Sequence, residues 1–147
     1  MSERLIDDDP EVTFALDRVV ACAREDGREW FAGASRLRDA NGDEHKSLIV
    51  WRVPNDEFDA GVRVAAGDGI TVVPQNAEHS ERELAGVLRK VTTFNGIDAI
   101  EGAFWSIKPD GSGITLRLPA DVAQWQQVMD EHFPGYVQVA HGEVFPA

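Results

Sequence analysis

Cysteine and long apolar runs are both scarce in this sequence of 147 residues. Its one cysteine, Cys22, excludes an internal disulfide and a zinc site built from several cysteines. No run approaches the roughly 18 apolar residues of a membrane-spanning helix, so we expect no membrane association. The N-terminal segment 1–12 is acidic and polar, unlike a secretory signal, so we expect a cytoplasmic location.

Positive charge is scarce as well. The sequence contains 14 Lys and Arg residues and 26 Asp and Glu residues, which gives a formal net charge of −12. A field of this sign repels phosphate backbones, so the sequence does not favour nucleic-acid binding. The negative charge either serves solubility or steers the protein towards a basic protein partner.

Local motifs for metals, phosphates and catalysis are lacking. The four histidines show no zinc-enzyme spacing, and segment 39–44 starts like a calcium loop but lacks its later ligands. The glycine pairs of "GDGITVVPQ" (67–75) and "GSGITLRLPA" (111–120) precede a strand, whereas a phosphate-binding loop connects a strand to a helix. Cys22 lies beside an apolar helix stripe, where a buried thiol is more typical than a nucleophile. We therefore expect no metal, no cofactor and no locally encoded catalytic site.

Capping and spacing signals predict three helices. The first begins at Asp9-Pro10, a capping carboxylate followed by a proline that suits the first helical position, and ends at Gly27. The second begins at Ser80, which forms a capping-box pattern with Glu83, and ends at Asn95-Gly96. The third begins near Asp121 and ends at Pro134-Gly135.

Turn residues and alternating apolar residues predict the strands. Two strands within 29–54 surround an Asn41-Gly42 turn, and strands 61–65 and 70–74 surround the turn Gly67-Asp68-Gly69. A third hairpin turns at Pro109-Asp110-Gly111, and "YVQVA" forms the last strand.

The order of these elements predicts the fold class. From position 70 onward it is strand, helix, strand, strand, helix, strand, which is the ferredoxin-like βαββαβ order. We therefore predict one α+β domain over residues 1–147, with a two-layer antiparallel sheet, three helices and a flexible N-terminus at 1–9.

The four tryptophans give the best sign of a binding surface. Trp51 and Trp105, with the neighbouring Phe104, lie on strands that can expose one sheet face, where aromatic side chains act as binding anchors. The leading hypothesis is a non-enzymatic module that binds a basic protein partner, such as an inhibitor, an immunity-type protein or an adaptor. The alternative is a small-molecule-binding protein or enzyme with a pocket between sheet and helices. Self-association through an open edge strand or sheet face is a third hypothesis.

Overall fold

The computed structural model describes residues 9–38 and 44–142, and over these residues the fold is α+β. The helices there are α1 (Pro10–Asp26), α2 (Asp56–Ala66), α3 (Glu81–Thr92) and α4 (Val122–His132), with a 3₁₀ helix at Phe94–Ala99. The strands are β1 (Phe31–Arg38), β2 (Glu44–Arg52), β3 (Thr71–Asn76), β4 (Phe104–Ile107), β5 (Ile114–Leu118) and β6 (Val137–His141). The predicted N-terminal tail, apart from Asp9, and the Asn41-Gly42 turn lie outside the described residues.

The elements occur twice in the same order. Each half runs helix, strand, strand, helix, strand. In each half the first two strands pair antiparallel, and the third strand pairs in parallel with the second. The crossover helices α2 and α4 both contain 11 residues. The described chain is therefore a structural tandem repeat of one αββαβ unit.

The predicted single antiparallel sheet is replaced by two three-stranded sheets, with orders β1-β2-β3 and β4-β5-β6. The βαββαβ order of elements is present from Thr71 onward, but β3 pairs with β2, where Leu48 lies opposite Val72. The ferredoxin-like layout is therefore not confirmed. The physical reason is that α2 forms a crossover connection, which returns the chain beside β2 in the parallel direction.

The predicted strand at 61–65 is wrong, because these residues belong to α2. Asn55 caps this helix by accepting a hydrogen bond from the Phe58 backbone N–H at 2.8 Å. Phe58, Val62 and Ala66 are buried at four-residue intervals, as on one face of a helix. Val64 is 82% exposed, so the short alternation of Val62 and Val64 does not mark a half-buried strand. The helix count is therefore four rather than three over the described residues.

The two similar glycine-rich stretches occupy different places in the repeat. Gly67 has a φ of 87° and ends α2, before "ITVVPQ" enters the third strand of the first half. Gly111 has a φ of 75° and donates its N–H to the Lys108 carbonyl at 3.1 Å, which closes the predicted β4–β5 turn. Both glycine pairs thus lead into strands, as predicted, but the first follows a crossover helix and the second lies within a hairpin turn.

The predicted starts of the other three helices are confirmed. Asp9 accepts from the Glu11 N–H at 2.9 Å, and Ser80 accepts from the Glu83 N–H at 3.1 Å. Asp121 occupies the cap position of α4 in a left-handed conformation, with a φ of 62°. The second predicted helix ends at Thr92, and the 3₁₀ helix follows it.

Each half has its own apolar cluster. The first joins α1 and α2 to β1–β3 around Leu48 and Val50, and the second joins α3 and α4 to β4–β6 around Leu116. The β4–β5 turn connects the halves: a Cβ built on Gly33 would overlap the carbonyl oxygen of Pro109. Only a glycine lets these two backbones approach so closely.

Candidate functional site

The three aromatic residues predicted as binding anchors do not share one face. In β2 the core-facing residues are Leu48 and Val50, so Trp51 lies on the opposite face of the first sheet, half-buried. In the second sheet, Trp105 packs against the second core. Its neighbour Phe104 lies on the other face of that sheet, because successive side chains of a strand alternate. Binding by these residues stays a prediction.

A groove between α1 and α2, which we call the α1–α2 groove, has a volume of about 380 Å³. The two helices run in opposite directions, since Arg18 of α1 donates to the carbonyl of Ala66 at the end of α2, while Gly27 lies against Phe58 near its start. A Cβ on Gly27 would lie 2.5 Å from the Phe58 ring. The glycine therefore lets the aromatic ring lie against the end of α1, where the groove opens.

The wall of the α1–α2 groove combines aromatic rings with carboxylates. Trp30 and Phe58 line it together with Asp26, Glu57 and the capping residue Asn55. Asp26 and Glu57 are exposed, and neither forms a salt bridge with any residue in 9–38 or 44–142. Two carboxylates beside an indole ring form a site that attracts a cation, through charge and through the negative face of the ring.

The thiol of Cys22 also lines the groove. Burial raises its pKa, and the nearby carboxylates of Asp26 and Glu25 raise it further. A raised pKa keeps the thiol protonated, and a protonated thiol is a poor nucleophile. The surroundings of Cys22 therefore do not favour a nucleophilic role.

Sequence reasoning missed this groove because it missed α2. The signal was present: Asn55 is a preferred capping residue, and Asp56, Glu57 and Asp59 follow it in the first turn, where acidic side chains are favourable. Trp30 is one of four tryptophans, and no local pattern distinguishes it from the others. Its place beside α2 depends on how the two helices pack.

A second polar cluster surrounds the carboxylate of Glu83. Tyr136 donates its hydroxyl to Glu83 Oε2 at 2.6 Å, and Nδ1 of His79 lies 3.0 Å from the same oxygen. The centroids of the His79 and Tyr136 rings lie 4.6 Å apart. The hydrogen bond to Glu83 raises the pKa of Tyr136, with further contributions from burial and from the negative charge. These bonds join the start of α3 to the turn before β6.

The Glu83 cluster resembles the carboxylate–imidazole pair of a general base, in which the carboxylate orients the ring. Such a base acts on a nucleophile within hydrogen-bond reach. Among the described residues, His79 forms no hydrogen bond to a serine, threonine or cysteine side chain. We therefore assign the cluster to the packing of α3 against the turn before β6.

A buried ion pair lies under α2. Arg52 donates from Nε and Nη2 to the two carboxylate oxygens of Asp59, at 2.7 and 2.8 Å, and from Nη1 to Asn76 at 2.7 Å. Arg52 holds the pKa of Asp59 below its ordinary value, chiefly through these hydrogen bonds. The paired charges cancel locally, so we assign Arg52 and Asp59 to the structure of the first half.

Residues 9–38 and 44–142 were compared with the requirements of a metal site and of a membrane-spanning helix. There, no group of three or more His, Cys, Asp or Glu side chains is arranged to hold a metal ion. None of the helices in these ranges is long and apolar enough to cross a membrane. The calcium-loop-like residues 39–43 lie outside the described part of the chain.

Comparison with known proteins gives no family for this chain. No known protein-family model matches the sequence, and no curated protein is significantly similar to it.

Proposed function

We propose that this protein is a non-enzymatic, cytoplasmic binding module that accepts a lysine or arginine side chain of a basic protein partner in the α1–α2 groove. The observation that carries the proposal is the pair of carboxylates, Asp26 and Glu57, beside Trp30 and Phe58. Neither carboxylate has a cationic partner within the described ranges. An inhibitor, an immunity-type protein or an adaptor would use such a site.

The energetics favour a cation over an apolar group. A guanidinium or ammonium beside a tryptophan ring gains about 0.5–2 kcal/mol, and a hydrogen bond to a charged group contributes about 1.5–3 kcal/mol. The net charge of −12 adds a long-range attraction that speeds encounter with a basic partner. One side chain supplies only part of the affinity, and the surrounding contacts of a protein partner supply the rest.

The alternative function uses the same groove for a free organic cation. Small-molecule pockets commonly have volumes of about 300–1,000 Å³, and the groove, at about 380 Å³, lies at the lower end of that range. Both functions share one chemistry, a cation held between carboxylates and aromatic rings. They differ in the occupant: a protein partner would also contact the groove through the polypeptide on either side of its lysine or arginine, whereas a free organic cation would not.

Nuclear magnetic resonance titrations distinguish these outcomes. We expect agmatine and a short peptide that contains arginine and lysine to shift the Trp30 indole N–H and the Asn55 side-chain amide. The peptide should bind more tightly than agmatine if the occupant is a protein side chain. Equal affinities for the two probes would support the small-molecule alternative.

The matched variants change the net charge equally. Asp26→Asn with Glu57→Gln should weaken peptide binding at least about tenfold, because both charge-assisted contacts are lost. Glu101→Gln with Glu131→Gln removes two exposed carboxylates from the second half and should leave the affinity nearly unchanged. Absent shifts at Trp30, or equal losses in the two double variants, would show that the groove is not the binding site.

A further inference from the structure

The solvent face of α3 carries positive charge, although the protein as a whole is strongly negative. Arg82, Arg89 and Lys90 are exposed on this helix at spacings of seven and eight residues, which places them along one side. Gly86 lies between them and leaves space that a side chain would fill. We call this surface, formed by Arg82, Gly86, Arg89 and Lys90, the α3 face.

The cations of the α3 face are not neutralised by their neighbours. Arg82, Arg89 and Lys90 form no salt bridge with any residue that the structure describes. The carboxylates on the same helix are already engaged. Glu81 accepts two hydrogen bonds from Arg24, at 2.9 and 3.1 Å, and Glu83 is bonded to His79 and Tyr136. The positive charge of this face is therefore available to a ligand.

Two shallow depressions adjoin the α3 face, and Arg82 lines both. One, of about 740 Å³, is lined by Glu29 and by α3 residues that include Val87, Arg89 and Lys90. The other, of about 570 Å³, lies between α1 and α3 and includes the exposed Arg28. Its apolar lining consists of Phe31, Ala85 and Ile107. Cationic and apolar side chains thus occur together in both depressions, beside the carboxylates of Glu81 and Glu83 that Arg24 and Tyr136 already bind.

We propose that the α3 face binds an acidic segment of a second protein, one in which apolar side chains accompany the carboxylates. Arginines recognise carboxylates through paired, charge-assisted hydrogen bonds. The apolar lining beside Arg82 suits aliphatic side chains of such a segment and has no role in phosphate recognition. This inference does not depend on the α1–α2 groove, which lies on a different pair of helices.

Charge also favours an acidic protein segment over a nucleic acid. A nucleic acid carries its charge along the whole backbone, so its flanking phosphates would face the other, acidic surfaces of the molecule. A short acidic segment can contact the α3 face alone. Together, a cation-binding groove and an anion-binding face would let the protein act as an adaptor between two partners of opposite charge.

Fluorescence anisotropy tests the proposal with three labelled probes: a short peptide of alternating glutamate and leucine, the same peptide with glutamine for glutamate, and a short single-stranded DNA. We expect the glutamate peptide to bind and the glutamine peptide not to bind. Raising the salt from about 50 to about 300 mM should weaken the binding, because the contacts are exposed and screened. Tighter binding of the DNA than of the glutamate peptide would overturn the proposal.

Arginine variants locate the binding surface. Arg82→Ala with Arg89→Ala should weaken binding of the glutamate peptide at least about tenfold, since each arginine contributes charge-assisted bonds. Arg63→Ala with Arg117→Ala, two exposed arginines elsewhere, changes the net charge equally and should have less than about a twofold effect. Equal losses in both pairs would refute a specific site. Sedimentation that shows self-association dependent on Arg82 and Arg89 would assign the face to a second copy instead.

Discussion

Replacing Asp59 with alanine removes both carboxylate acceptors of Arg52, whose side chain is 10% exposed. Removing one partner of a buried ion pair leaves an uncompensated charge, which typically lowers the free energy of unfolding by about 3–5 kcal/mol. Small domains have unfolding free energies of only about 5–15 kcal/mol. We therefore expect Asp59→Ala to lose a large part of the stability, measured by urea unfolding followed with circular dichroism.

The double variant Arg52→Leu with Asp59→Leu separates the cost of an unpaired charge from the loss of the pair. Leu118 occupies a position near that of Arg52 in the second half, at the end of the strand before α4, so the fold accepts an apolar residue there. Replacing both members of a buried pair by apolar residues is often neutral or stabilising by about 1–4 kcal/mol. We expect this variant to be far more stable than Asp59→Ala.

An exposed ion pair provides the control. Glu81→Gln removes the partner of Arg24, and the two side chains are 35% and 58% exposed. Exposed pairs contribute only about 0.2–1 kcal/mol. If Asp59→Ala costs no more than Glu81→Gln, the buried-pair reasoning is refuted.

Acid should reduce the advantage of wild type over Asp59→Asn. The pKa of Asp59 is lower in the folded state than its ordinary value of 3.8, so its contribution is fully present above that value. The contribution is lost as the pH falls from 3.8 through the lower folded-state pKa. A stability difference that stays constant from neutral pH to below 3.8 would contradict this assignment.

Two further predictions concern a close backbone contact and the Glu83 cluster. Gly33→Ala places a methyl group against the Pro109 carbonyl and should lower stability by about 1–3 kcal/mol. Gly61→Ala, in helix α2 with open space around it, should instead raise stability by about 0.5–1 kcal/mol. Thermal unfolding that shifts in the same direction for both variants would contradict the close approach of Gly33 and Pro109. Tyr136 is the one tyrosine of the chain, so ultraviolet absorbance titration reports its ionisation alone. We expect wild type to ionise above the ordinary pKa of 10.0 and Glu83→Gln to ionise closer to it, and an unchanged titration would show that the Tyr136–Glu83 hydrogen bond does not form in solution.

Capping residues and apolar spacing in the sequence were sufficient to predict three of the four α-helices of the described residues. The caps at Asp9 and Ser80 act within three residues of the chain, and their hydrogen bonds are present as predicted. Helix α2 shows where such reasoning fails, because Val62 and Val64 alternate as in a strand, whereas the helix depends on the Asn55 cap and on the burial of one face. The predicted capping box forms only in part. Ser80 accepts a hydrogen bond from the Glu83 N–H, but the Glu83 carboxylate bonds to His79 and Tyr136. Tyr136 is too distant in the sequence for any spacing rule to find.

The α+β class follows from the order of elements, but the partition of the strands into two sheets does not. Strand β3 could pair with β2, which precedes its crossover helix, or with the strands that follow it in the sequence. Its hydrophobic periodicity would be the same in both arrangements and therefore does not determine the partner strand. The choice depends on long-range contacts, such as Leu48 opposite Val72. The same holds for the α1–α2 groove, which Asp26 and Glu57 both line only because two helices pack in opposite directions. Composition indicates the net charge of the molecule, whereas the tertiary packing determines where acidic and basic surfaces lie.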